Sequence, residues 1–268
     1  MMTALRTTAT ALMFALMTTS AALAGPPLAT DDAGTVAVGS LEVELNGSYA
    51  SDRQRSGGIS YKASSSDSEL KISTGLYQDL SASLALPYTF NLRVEEDNAL
   101  THKTQGLGDM VLELKYAFTE LGGIALAVKP WLVVPTGRYS EGLSEGHWHG
   151  GGTLIASKEF SDGRYALHAN LGYEHHRYRT HAIRSTTHGN LWTGSIAGEA
   201  ELIEGLVVVA DFGLGSNPEK NAHELPVYGL TGARYEMNDL LDINAGVKFG
   251  LTSSETDITA LYGVVLKF

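Results

Sequence analysis

The chain contains no cysteine, which excludes a disulfide framework and any thiolate metal centre. Beyond its first 24 residues it has no long hydrophobic run. The longest unbroken apolar stretches there span five residues, as in Ile124 to Val128, against the ~20 that a spanning helix needs. A helical membrane protein is thereby excluded. Basic residues are scarce as well. Nineteen Lys and Arg stand against 30 Asp and Glu, a formal net charge of −11, and phosphate binding needs clustered cations, so no nucleic-acid partner is expected. Disorder is excluded from the other side. A chain with 43% hydrophobic residues and 3 Trp, 12 Tyr and 7 Phe has enough apolar surface to fold.

Residues 1–24 read as a cleaved signal peptide. Arg6 gives a positive start, Ala9 to Met17 an apolar stretch, and Ala22-Leu23-Ala24 a small-x-small cleavage site before Gly25-Pro26-Pro27. The segment carries one Arg and no acid, so its removal leaves the remainder more acidic still. An exported chain that lacks cysteine points to the bacterial envelope.

From residue 40 onward the hydrophobic period is two. In 80–94, Leu80, Ala82, Leu84, Leu86, Tyr88, Phe90, Leu92 and Val94 fall on one face, and Ser81, Ser83, Thr89, Asn91 and Arg93 on the other. Segments 239–251 and 257–268 alternate in the same way. Twelve such segments are expected, near 40–50, 68–77, 80–94, 107–118, 123–135, 148–160, 164–176, 190–202, 205–214, 227–236, 239–251 and 257–268. No helix of ordinary length is expected.

The gaps between these segments alternate long and short. Residues 51–67, 95–106, 136–147, 177–189 and 215–226 are long and polar, whereas 78–79, 119–122, 161–163 and 237–238 are tight-turn material. Short turns at the periplasmic end and longer loops outside are the pattern of an outer-membrane barrel. The expected fold is therefore all-β: an antiparallel up-and-down transmembrane β-barrel of about 12 strands over 40–268. Residues 25–39 form either a periplasmic tail or a lumen segment. Aromatics near strand ends, among them Tyr77, Phe90, Tyr116, Trp131, Tyr173 and Trp192, suit an interfacial girdle. The opposite face carries Glu42, Glu44, Arg93, Asp109, Glu113, Lys115, Lys129, Asp242 and Lys248, which are expected to line a pore. Phe268 closes an alternating strand and fits the terminal aromatic by which barrels are recognised for assembly.

Three stretches carry a family resemblance. They are Pro26-Pro27-Leu28-Ala29-Thr30-Asp31-Asp32-Ala33-Gly34-Thr35, then Gly106 to Tyr116, and Pro130 to Gly137 followed by Gly150-Gly151-Gly152. Together they resemble the outer-membrane family named for the meta-pathway of phenol degradation. The resemblance implies a barrel of the outer membrane that acts as a transporter or channel, with the lipid bilayer, the barrel assembly machinery and a small-molecule solute as its partners.

Chemistry leaves little trace in the sequence. His147 and His149 share a strand face, and His168, Glu174 and His176 are expected in the lumen. Two His with loose acidic neighbours do not make a zinc signature, and Gly106-x-Gly108 lacks the helix and Lys-Ser/Thr of a phosphate loop. There is no Gly-x-Ser-x-Gly elbow. No catalytic, cofactor or metal site is expected, and the function reads as passive passage of small solutes, hydrophobic or aromatic compounds included. The alternatives are a lipid-hydrolysing barrel or a structural barrel without transport.

Overall fold

The computed structural model describes residues 26–56, 58–161 and 163–268. The expected signal peptide, 1–24, lies outside the described residues. Thirteen strands occur among those residues: β1 (Leu41–Ser56), β2 (Ile59–Tyr77), β3 (Leu80–Glu96), β4 (Ala99–Leu107), β5 (Met110–Leu121), β6 (Ile124–Val134), β7 (His149–Phe160), β8 (Tyr165–His175), β9 (Asn190–Ile203), β10 (Leu206–Gly215), β11 (Val227–Asn238), β12 (Leu241–Gly250) and β13 (Ile258–Lys267). They make twelve staves. β4 pairs with the second half of β3 and β5 with its first half, so the two lie end to end as one interrupted strand. Each strand pairs antiparallel with the next in sequence, except that β5 follows β4 along β3 rather than pairing with it, and β1 closes onto β13 over ten residue pairs from Glu42↔Lys267 to Ser51↔Ile258. At the seam the Leu41 N–H donates to the Phe268 carbonyl at 3.0 Å, and the Phe268 N–H to Leu41 at 2.8 Å. The ladder closes around the barrel, as a strand-built membrane protein requires, and among the described residues β4 pairs on one side only, with β3.

The two faces differ as alternation demands. Leu45, Tyr49, Leu154, Leu171, Ile196 and Tyr262 are each more than half exposed on the outer surface. Inside, Glu44, Lys71, Ser73, Glu113, Lys129 and Asn244 are buried. An apolar belt on this scale would be an aggregation surface in water and is the ordinary exterior of a barrel in lipid. Connections at the end where β1 begins are tight. At the far end, 135–148, 176–189 and 216–226 are long and hold the only helical turns among the described residues, a 3₁₀ turn at Tyr139–Glu141 and α1 (His181–Thr186).

Four expectations need correction. Residues 51–67 and 95–106 are not loops: β1 and β2 stay paired out to Ser56↔Ile59, and β3 and β4 run to a hairpin at 97–98. Their tips, such as Arg53, Lys62 and Lys103, are polar because they project past the apolar belt, where the outer face meets water too. The alternation in 80–94 does not hold to its end. The partner register jumps from Asp67↔Thr89 to Ser66↔Asn91, a bulge at Phe90 that exchanges the faces. Leu92 and Val94 therefore point inward with Tyr61 and Ala63, while Arg93 lies on the outside with 47% of its side chain exposed and pairs with Glu95 at 2.7 Å. It does not line the lumen. Trp131 is likewise no girdle residue, because it is buried on the inner face against Ala85, Val111 and Val133.

Two measurements check this architecture. The chain has no native thiol, so Leu45→Cys with Val264→Cys, which oppose each other across the seam, should form a disulfide. Leu45→Cys with Tyr262→Cys, two residues out of register, should not, since thiols must bring their Cα atoms within about 7 Å. Leu154→Arg should cost about 2–4 kcal/mol in vesicle refolding titrations, because it drives a charge into hydrocarbon near the middle of β7. An unchanged titration midpoint would mean that the residue does not face lipid.

Candidate functional site

The lumen is occupied by the chain's own N-terminal segment. Residues 26–36 run inside the barrel, with Pro27, Leu28, Thr30 and Asp31 almost wholly buried. Leu28 packs on Ala197, Val209 and Leu230 of the inner wall, and Ala33 on Ala127 and Ile155. Space for it comes from glycine. A Cβ at Gly246 would stand 3.0 Å from the Pro27 ring, and one at Gly232 2.6 Å from it.

Polar contacts fix the segment at three points. Asp211 on β10 accepts from the Ala29 N–H at 2.9 Å and the Thr30 N–H at 2.8 Å, with the Thr30 hydroxyl 2.8 Å from its other oxygen. Ser157 accepts from the Ala33 N–H at 2.8 Å. Between them, the Asp31 carboxylate makes ion pairs with Lys129 at 2.6 Å and Lys115 at 2.8 Å. With its amide oriented to satisfy both groups, Asn170 brackets the Asp31 backbone, its nitrogen donating to the carbonyl at 2.9 Å and its oxygen accepting from the N–H at 2.6 Å. Burial alone would raise the Asp31 pKa, but Lys129, Lys115 and Lys71 outweigh it and hold the carboxyl well below the ordinary range.

The expected lumen residues fall into place around this segment. Glu42, Glu44, Glu113, Lys115, Lys129, Asp242 and Lys248 are on inward positions of their strands. Most are already partnered: Glu113 with Lys71 at 3.2 Å, Asp242 with Lys267 at 2.7 Å, and Lys248 with Glu255 at 3.0 Å. Asp109 sits at the far mouth and ties down the loop 135–148, accepting from the Gly137 N–H at 2.8 Å and the Glu145 N–H at 3.4 Å. Sequence reading passed over Lys71, Asp211 and Arg234, which pairs with the inward Glu199 at 3.2 Å. All of them stand on inward-facing strand positions, so a charge tally along each alternating face would have found them.

Histidines meet in combinations that sequence spacing hid. His147 and His149 do not form a pair. His149 instead stacks on His176, with ring centroids 4.6 Å apart, and both approach Glu145. Burial would lower the His176 pKa, but hydrogen bonds to Glu145 and Glu174 push it up to about 9. Deeper inside, Ser157 Oγ lies 2.8 Å from His168 Nδ1, whose Nε2 is 3.9 Å from Glu199. That row mimics a nucleophile relay, yet Ser157 anchors Ala33 and Glu199 is committed to Arg234.

Comparison with known proteins follows the geometry. No protein with a curated description matches the sequence. Among solved structures, an outer membrane channel from Pseudomonas putida F1 superposes with a TM-score of 0.71 at 15% identity, covering 88% of this chain and 98% of that one. The NanC porin gives 0.57 at 12% identity, covering 84% and 100%. The translocator domain of the autotransporter NalP from Neisseria meningitidis gives 0.54 at 12%, covering 85% and 88%. These likenesses show the fold, a closed antiparallel β-barrel. The sequence itself matches one family over residues 27–268, nearly everything after the expected signal peptide, and the chain belongs to that family, described as "Putative MetA-pathway of phenol degradation".

Proposed function

We propose that this barrel is an outer-membrane channel for the passive passage of small solutes, and that the segment 26–36 is the element whose displacement opens it. The observation that carries the reading is how the segment is held. It fills the lumen through a few ion pairs and hydrogen bonds, without being a stave of the wall, so it can leave while every strand pairing survives. The similarity to an outer membrane channel and to a porin supports the same reading.

The inner surface also bears on the cargo. Two apolar patches face inward, one of Tyr61, Ala63, Leu92 and Val94, the other of Ala85, Val111, Trp131 and Val133, which borders the charged residues Lys71, Glu113 and Lys129. Both offer apolar surface that suits small hydrophobic or aromatic solutes better than sugars. The proposed role needs no covalent chemistry and no cofactor.

Deleting residues 26–36 should raise single-channel conductance in planar bilayers well above that of the intact protein. A heat-modifiable deletion variant with no more conductance than an empty bilayer would reject the channel. Asp31→Ala leaves Lys129 and Lys115 without their buried partner, a loss of about 3–5 kcal/mol for such pairs. A reporter thiol at Leu28→Cys, smaller than the buried leucine it replaces, should then change from unreactive to maleimide-reactive. Acid should act in the same direction. Because the docked Asp31 carboxyl titrates below its free value of about 3.9, docking is at full strength above that pH and weakens as pH falls below it. Conductance at pH 3 should exceed that at pH 7, and the Asp31→Ala variant should lose that difference.

A further inference from the structure

We propose that Glu145, His149 and His176 form a binding site for a divalent transition-metal ion of the zinc class at the far mouth of the barrel. His149 opens β7, and His176 follows the last residue of β8. These strands are antiparallel neighbours whose far ends meet at the pair Gly150↔His175. Both imidazoles therefore turn inward side by side. Glu145 reaches them from the loop 135–148, its carboxylate 2.9 Å from His176 Nδ1 and 3.4 Å from His149 Nδ1. The three donor atoms all lie within 4.8 Å of one another. Around a tetrahedral ion with bonds of about 2.0–2.2 Å, ligand atoms stand roughly 3.3–3.5 Å apart. Small rotations of the three side chains reach that spacing.

The surroundings are those of a metal centre rather than of an accidental ion pair. Glu174 Oε2 is 3.3 Å from His176 Nε2, on the ring nitrogen opposite the shared one. That is the carboxylate–histidine support which fixes a ligating imidazole. Tyr178 stacks on His176 at 5.9 Å, and Trp131 meets His149 edge-on at 6.2 Å. The Glu145 backbone is held by Asp109. Two imidazoles and one carboxylate favour zinc, copper, nickel or cobalt over calcium and magnesium, which prefer all-oxygen shells. Three protein ligands leave a fourth position for water. An ion there would cross-link the loop 135–148 to β7 and β8, and so fix the shape of the mouth.

The test uses the full barrel purified without a polyhistidine tag, stripped with EDTA and titrated in detergent with Zn²⁺ by calorimetry and with Co²⁺ by visible absorption. One ion should bind per barrel, with the intense d–d bands of low-coordinate cobalt. His149→Ala and His176→Ala should each weaken binding about 10–100-fold or more, while His147→Ala, a neighbour outside the cluster, should match the parent. Heat-modifiable gel mobility reports that each variant is folded. If His176→Ala does not reach that form, Glu145→Gln, which keeps side-chain size, carries the same comparison. Absence of saturable Zn²⁺ binding by the parent would overturn the site, as would binding that survives in folded His149→Ala and Glu145→Gln.

Discussion

Hydrocarbon offers no hydrogen bond, so each N–H and C=O that enters it must be paired within the protein. That requirement forces β1 onto β13, sets the continuous antiparallel ladder, and makes the fold a tube before any side chain is considered. Once the tube is closed, side chains have only two destinations. Those facing out meet lipid and are Leu, Ile, Tyr and Phe. Those facing in meet one another, and their chemistry is free to vary. The inward charges are not scattered. Asp31 pairs with Lys115 and Lys129, and Lys71 with Glu113, because charges drawn away from bulk water persist only when paired.

The same enclosure explains why the segment 26–36 sits inside. A twelve-stave tube is too wide for its own inward side chains to fill, and glycines at 232 and 246 widen it further at the point where Pro27 rests. The segment supplies what the wall lacks. It brings a carboxylate for two lysines and N–H donors for Asp211 and Ser157, and Leu28 fills the space over Ala197, Val209 and Leu230.

Much of this was legible in the chain, and the rest was not for identifiable reasons. Period-two alternation placed β5 to β13 within a few residues, because one face of each must meet lipid. It lost the tips of β1 to β4, where the outer face leaves the lipid and no alternation is imposed. It lost Arg93, because the single extra residue at Phe90 inverts facing without altering composition. Asp31 was visible as a motif residue but not as the partner of Lys115 and Lys129, 84 and 98 positions away. No local pattern encodes which staves a free segment will touch. His149 and His176 were separated in the same way, since their meeting depends on the register of β7 against β8.

Opening such a channel need not disturb its wall, and magnitudes decide this. The wall is one cooperative ladder closed at every seam, so loosening a stave exposes backbone groups in lipid at several kcal/mol each. The lumen segment is held by the Asp31 pairs, a few hydrogen bonds worth about 0.5–1.5 kcal/mol apiece, and the burial of Leu28, about 1.5–3 kcal/mol. Against these stands the entropy of ordering some ten residues, about 1–2 kcal/mol per residue for the backbone, so the net grip is a small difference. A net docking energy of about 3 kcal/mol leaves the lumen free in roughly one molecule in 200, a minor state within reach of a modest bias. The wall and the segment therefore occupy separate energy scales. The closed tube persists through the life of the protein, while under the proposed function the segment that fills it gives way to solute.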